Sequence, residues 1–196
     1  NTLYLAGATA VFSMSFITYL SLAPPLMVAL TGSLAFAGMP QSLNAFVRMV
    51  LSYPVGRLMD RYGRRLPLVF ALLLAGAAGA VVFYAVAVRS LPLFFAAMGF
   101  LSIGYSVGHQ IRVAATDMFP PGRKGEGVGY LMSGHVAGSL VGPLVMVLAY
   151  AFSRALGFEP EVGSWLLLPL FLVGGAWLIL RARPDPQEIG KNLAAF

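Results

Sequence analysis

Four side chains able to carry positive charge lie inside stretches otherwise almost free of charge: Arg48, His109, Arg112 and His135. A guanidinium binds anionic groups through directed N–H donors, and an imidazole carries or releases a proton near neutrality. At the centre of a membrane helix such a charge costs about 2.5–3.5 kcal/mol on insertion scales, so each needs a partner or water. Arg48 shares one helical face with Gln41, Asn44 and Ser52, spaced i, i+3, i+7 and i+11. Two readings fit it: a cavity cation that binds an anionic substrate group, or a structural arginine paired to carbonyls or to another bundle. Ser102, Tyr105, His109, Arg112 and Thr116 form a second stripe. Within it His109 suits a wet cavity, whereas Arg112 is close enough to a helix end to extend to the interface. His135, with Ser139 one turn on, fits a cavity or an interhelical hydrogen bond.

Other chemistries find no support. There is no cysteine for a disulfide or thiolate site, and no metal, nucleotide or organic cofactor motif. Ser133 and His135 lie two positions apart on one helix, so they point about 200° apart and cannot act as nucleophile and base. No filter loop or re-entrant half-helix suggests a channel. The acids Asp60, Asp117 and Glu126 all fall at the ends of apolar runs, none in the middle. Proton coupling would therefore have to use His109, His135 or a carboxylate elsewhere. Facilitated diffusion or exchange of an anion stays equally open.

The elements that must position these groups are membrane helices. With 59% hydrophobic and 10% charged residues the chain is too apolar for a soluble domain. Crossing the hydrocarbon takes roughly 20 apolar residues, and six such segments are expected, at about 2–29, 39–59, 66–88, 91–115, 126–152 and 163–180. The first is too long for a signal peptide, and a start at Asn1 suggests a trimmed or partial chain. The net charge of +6 follows the ends of the runs, which argues for membrane topology and against nucleic acid. Nine bases fall on one side (Arg57, Arg61, Arg64, Arg65, Arg123, Lys124, Arg181, Arg183, Lys191) against Arg89 and Arg154 on the other. Both termini are thus expected in the cytoplasm of an inner-membrane, multi-pass protein. The third segment, with its small residues at 75–80, and the sixth, with Trp165 and Trp177 placed as an interfacial belt, should be peripheral. The first, second, fourth and fifth carry the polar residues and should share an interior.

The tight loop Gly56-Arg57-Leu58-Met59-Asp60-Arg61-Tyr62-Gly63-Arg64-Arg65 joins the second segment to the third. Topology explains its arginines but neither its two glycines nor Asp60. The pattern Gly-x-Leu-x-Asp-Arg-x-Gly-Arg-Arg resembles the signature loop of the major facilitator superfamily. The resemblance covers nearly the whole chain and implies the amino-terminal half of a twelve-helix transporter: an all-α integral membrane bundle of two inverted three-helix repeats over 1–182, then the start of a cytoplasmic central linker over 183–196. It implies that Asp60 faces a helix amino terminus in the other half, that Arg64 pairs with Asp117, and that the cluster closes the cytoplasmic side. Gly129, Gly138, Gly142 and Pro143 resemble the fifth-helix signature of the family's antiporters. The closing glycine pair is replaced by Met146-Val147, and the fourth helix lacks an arginine around 95–104, both of which weaken that assignment. The expected function is transport of a small organic solute by alternating access, with a preference for drug or anion efflux or antiport. Facilitated anion uniport or exchange, and a non-transporting six-helix regulatory module, are the alternatives. The expected partners are a small-molecule substrate, the lipid bilayer and a second six-helix half.

Overall fold

The computed structural model describes residues 2–183, 185, 186, 188 and 189, and among them all regular structure is helical. Long helices are α1 (Thr2–Thr31), α2 (Met39–Tyr62), α3 (Arg65–Ala87), α4 (Leu91–Gly108), α6 (Lys124–Ala155) and α8 (Leu167–Arg181). Two short ones, α5 (Ile111–Thr116) and α7 (Pro160–Gly163), extend α4 and lead into α8. Five stretches are long and apolar enough to cross a membrane: Thr2–Thr31, Arg65–Ala87, Leu91–Thr116, Lys124–Ala155 and Ser164–Arg181. At 24 residues α2 has the length, but its stripe of polar and basic residues keeps it outside that class. The expected linker over 183–196 lies largely outside the described residues.

The fourth segment departs from a single rod. His109 and Gln110 separate α4 from α5, and the Gln110 N–H bonds the Val107 carbonyl three residues back. Gly108 sits under the Phe12 ring where no side chain would fit, so α1 presses on the chain just before the break.

Packing follows small residues, as it must where apolar burial against lipid provides no driving force between helices. Helix α1 packs most extensively on α6 and α8, α4 on α3 and α2, and α3 on α8, whereas α2 and α3 scarcely touch beyond their loop. A Cβ at Gly104 of α4 would lie 2.6 Å from the Ala71 carbonyl of α3. On the same helix α3, Gly76 and Gly79 receive Pro169 and Leu168 of α8. Across the bundle, Gly134 and Gly138 lay the backbone of α6 directly on the Ala6 and Ala10 carbonyls of α1. Outward faces stay apolar, with Phe46, Phe70, Leu140 and Leu170 all exposed.

The tryptophans do not form a belt. Trp165 is 0% exposed, set edge-on to Tyr19 with ring centroids 6.5 Å apart, and only Trp177 lies on the surface. The turn before α8 tucks Trp165 inward, because Ser164 bonds back to the Pro160 carbonyl at 2.6 Å.

The glycines of α6 are therefore unequal. Gly138→Leu is expected to destabilise the protein by about 1–3 kcal/mol through overpacking against α1. Gly129, with open space at its Cβ position, should accept alanine within about 0.5 kcal/mol. Thermal unfolding of both variants in mild detergent checks the contrast; equal melting points would remove the seam's assigned role.

Candidate polar cavity and charged corner

Two groups of polar residues emerge from this packing. The first lies between α1, the α4–α5 break and α6. A cavity of about 240 Å³ is bounded there by Thr9, Phe12, Ser13, Phe16, Gly108, His109, Ile111, Arg112 and His135. Because α6 lies against α1 at Gly134 and Gly138, Ser13 Oγ and His135 Nδ1 come within 2.5 Å and share a hydrogen bond. Phe12 and Phe16 stand perpendicular to the His109 ring, with centroids 5.2 and 5.1 Å away. The His109 Nε2 is enclosed and has no protein partner. Arg112 and His135 border the cavity with His109. With Asp60, Asp117 and Glu126 at helix ends, this is a concentration of basic groups with no carboxylate among the described residues lining it.

The remaining expected cavity residues divide. Arg48 and Ser52 are exposed on α2, and the Ser52 hydroxyl donates to the Arg48 carbonyl at 2.5 Å. Asn44 is buried on the same face, its Nδ2 without a partner. Tyr105 does not line the cavity: it is 0% exposed and its hydroxyl lies 2.8 Å from Ser15 Oγ. The α1 residues Thr9, Phe12, Ser13 and Phe16 join the cavity without belonging to either polar stripe. Their signal is present as polar and aromatic pairs at i, i+4 within an apolar helix.

A larger recess of about 590 Å³ opens at the opposite end of the bundle from the 56–65 loop, among Pro25, Phe83, Arg89, Phe158 and Glu159. It contains neither histidine nor the polar stripes.

The second group is the charged corner where α2 meets α3. Arg64 reaches Asp60 at 3.1 Å through Nη2 and Asp117 at 2.9 Å through Nε. Its side chain is only 13% exposed, but Asp60 is open to solvent, so screening limits the pair to roughly 0–1 kcal/mol. Arg61 lies over the Tyr62 ring at 5.5 Å. Arg65 donates to the Leu180 carbonyl at the end of α8. Asp185 then enters from beyond α8: its carboxylate accepts from the Arg64 and Arg65 amides at 3.3 and 3.1 Å. It thereby supplies the missing acceptors at the amino terminus of α3. Gly63 permits this approach twice over. Its φ of +86° and ψ of 171° belong to glycine, and a Cβ there would fall 2.8 Å from Asp185 Oδ2. A Cβ on Gly56, by contrast, meets open space.

Gly129 is exposed, a Cβ on Gly142 would lie 3.2 Å from Ile17 Cγ2, and Pro143 lies within α6 on its exposed side. Gly134, absent from the expected glycine pattern, makes one of the closest backbone approaches of that helix.

Substitutions can separate these roles. Gly63→Ala is expected to lose about 1–3 kcal/mol of stability from backbone strain, with Gly56→Ala nearly neutral. Tyr105→Phe should lose about 1 kcal/mol, the net value of one buried hydrogen bond. Melting curves in detergent measure all three; an unchanged Gly63→Ala melting point would contradict the Asp185 contact.

Comparison with known proteins agrees with the helical architecture. Residues 5–194 match the family model for the Major Facilitator Superfamily. The chain is 28% identical over 165 residues to an uncharacterized MFS-type transporter, YdeG, of Bacillus subtilis (strain 168), a match covering 84% of this chain and 38% of the relative. A second relative from that organism, the uncharacterized MFS-type transporter YddS, is 26% identical over 164 residues, covering 83% and 38% respectively. The chain therefore spans well under half the length of these relatives.

Proposed function

Because the chain belongs to the major facilitator superfamily, we propose that it forms one six-helix half of a transporter that moves a small organic anion by alternating access. The observation that carries the choice of an anion is the basic cavity. Arg112, His109 and His135 converge there, and no carboxylate lines it among the described residues. An anionic group entering this cavity would find the Arg112 guanidinium on its wall, and could give the unpartnered His109 Nε2 an acceptor.

In this proposal α2 is the sixth span, with the exposed Arg48 and Ser52 turned to a solute pathway shared with a second bundle and Asn44 buried beside them. Two inverted three-helix repeats are supported by the pairing of elements. Exchanging α1, α2 and α3 for α4–α5, α6 and α8 converts the α1–α6 contact into α4–α2 and the α1–α8 contact into α4–α3. The α3–α8 contact maps onto itself. The basic loop end faces the cytoplasm of the inner membrane under the positive-inside rule.

Asp60, Arg64 and Asp117 serve as the cytoplasmic latch. Arg64 holds both acids on one corner, with Asp60 on its solvent-exposed side, the side from which the amino terminus of a helix across the pathway would approach. Weak exposed pairs suit this task, since a gate must bias two states of similar energy. Gly138 and Gly142 act in helix packing on the α1 side of α6, whereas Gly129 and Pro143 lie on its exposed side. That packing leaves the direction of transport, efflux or exchange, to the test.

Flux of radiolabelled organic anions into vesicles carrying the full-length protein tests the proposal. Arg48→Gln is expected to lower flux about ten-fold, equivalent to losing one interaction of about 1.4 kcal/mol in the transport step. Asp60→Asn should lose most flux while reaching the membrane normally. Wild-type flux of every anion in either variant would remove that residue's role, and no flux by the wild type would favour a regulatory module.

A further inference from the structure

The recess at the end opposite the 56–65 loop has a volume of about 590 Å³, within the range of about 300–1,000 Å³ usual for small-molecule sites. Its wall comes from α1 (Pro25, Leu26 and Leu30), from the end of α3 and from the turn after α6. Within that lining Phe83 of α3 and Phe158 of the turn meet edge to face, with ring centroids 5.3 Å apart. Two exposed residues of opposite charge complete it, Arg89 and Glu159. Neither side chain forms an ion pair or hydrogen bond among the described residues.

The backbone singles out Arg89. Helices α3 and α6 end in the same cap, closed by two bonds. After α3, the Ser90 N–H donates to the Ala85 carbonyl at 2.9 Å and the Arg89 N–H to the Val86 carbonyl at 3.0 Å. After α6, Phe158 and Gly157 donate to the Ser153 and Arg154 carbonyls, both at 3.0 Å. This cap needs one left-handed residue just past the helix. In α6 it is Gly157, with φ +78°. In α3 it is Arg89, with φ +50°, the one residue other than glycine with positive φ among those described. A side chain there is strained. The helix dipole favours a cation at this end, but positions 88 and 90, with φ of −90° and −97°, would hold one without strain. What position 89 adds is a guanidinium in the wall of the recess. Glu159 is fixed from the other side. The buried Ser153 hydroxyl donates to its carbonyl at 2.9 Å, and Gly163 lies against Ser153 with no room for a side chain.

We propose that this recess binds a zwitterionic phospholipid with a primary ammonium, of the phosphatidylethanolamine type. The phosphate meets Arg89, the ammonium meets Glu159, and the glycerol and upper acyl carbons lie along Leu26, Leu30 and Phe83. A guanidinium presents forked donors to a phosphate, and a carboxylate accepts from ammonium N–H groups. An anionic lipid brings no cation to Glu159, and a choline headgroup has no N–H to donate. Exposed Tyr84, Val88 and Leu156 adjoin lining residues in sequence, so the site is set in apolar surface suited to acyl chains. It does not rest on the transport reading.

Full-length protein in mild detergent is titrated with dioleoyl phosphatidylethanolamine, phosphatidylglycerol or phosphatidylcholine, and bound lipid is counted by native mass spectrometry. Half-saturation by phosphatidylethanolamine is expected at about ten-fold lower concentration than by either other lipid, roughly the worth of one charge-assisted hydrogen bond. Glu159→Gln should erase the preference over phosphatidylglycerol. Arg89→Lys should keep most of the affinity for phosphatidylethanolamine, and Arg89→Gly should lower it about ten-fold. The same Arg89→Gly change should raise the melting temperature of delipidated protein by about 2 °C, because glycine accepts the left-handed cap. A merely structural arginine would not separate binding from stability in this way. Equal half-saturation of the wild type by all three lipids overturns the site, and so does unchanged phosphatidylethanolamine binding in Arg89→Gly. Displacement of the lipid by millimolar glycerophosphoethanolamine, the headgroup without its chains, overturns the lipid assignment and marks a site for a soluble zwitterion.

Discussion

The contact on which the polar interior depends is the approach of two backbones. Gly134 and Gly138 allow α6 to lie on the Ala6 and Ala10 carbonyls of α1, closer than any side chain at those positions would permit. Only at that separation do Ser13 and His135 meet, and the same register of α1 brings Phe12 and Phe16 against His109. In lipid, association must come from such close van der Waals packing. The cavity is accordingly a by-product of a glycine seam.

The charged corner obeys a different rule. Three elements distant in sequence (the 56–65 loop, the end of α5 and the segment after α8) are tied by one arginine and one aspartate. Arg64 links Asp60 to Asp117, and Asp185 caps the helix that Arg64 begins. These contacts are partly buried, and the Asp60 pair, which faces water, is weak alone. Their value lies in connectivity: a shift of any one element is felt by the other two.

Much of this is legible in the residues. Apolar runs locate the long helices, since only hydrocarbon-facing helices tolerate such composition. The fixed spacing of Gly56, Asp60, Gly63 and Arg64 identifies the loop and the family. Other features depend on tertiary packing that spacing cannot express. Tyr105 falls on the same sequence stripe as His109, yet the break at His109 and Gln110 leaves it in the core on Ser15. Trp165 reads as an interfacial residue but is turned inward by the short α7 connection. Ser13 is one serine among several in α1 until α6 supplies His135. Asp185 looks like part of a polar tail, and its capping role becomes visible only when α3 and α8 lie side by side.

The meeting of Gly63 with Asp185 also bears on how such chains can be recombined. A loop glycine and an aspartate 122 positions later (63 against 185) form one joint, so they constitute a single structural unit despite their separation. Chimeras that take the bundle from one homologue and the segment after it from another would break that unit at its least conspicuous point. The segment following α8 is thus part of the bundle's own architecture, and a crossover point placed at Arg183 would divide a helix from its cap.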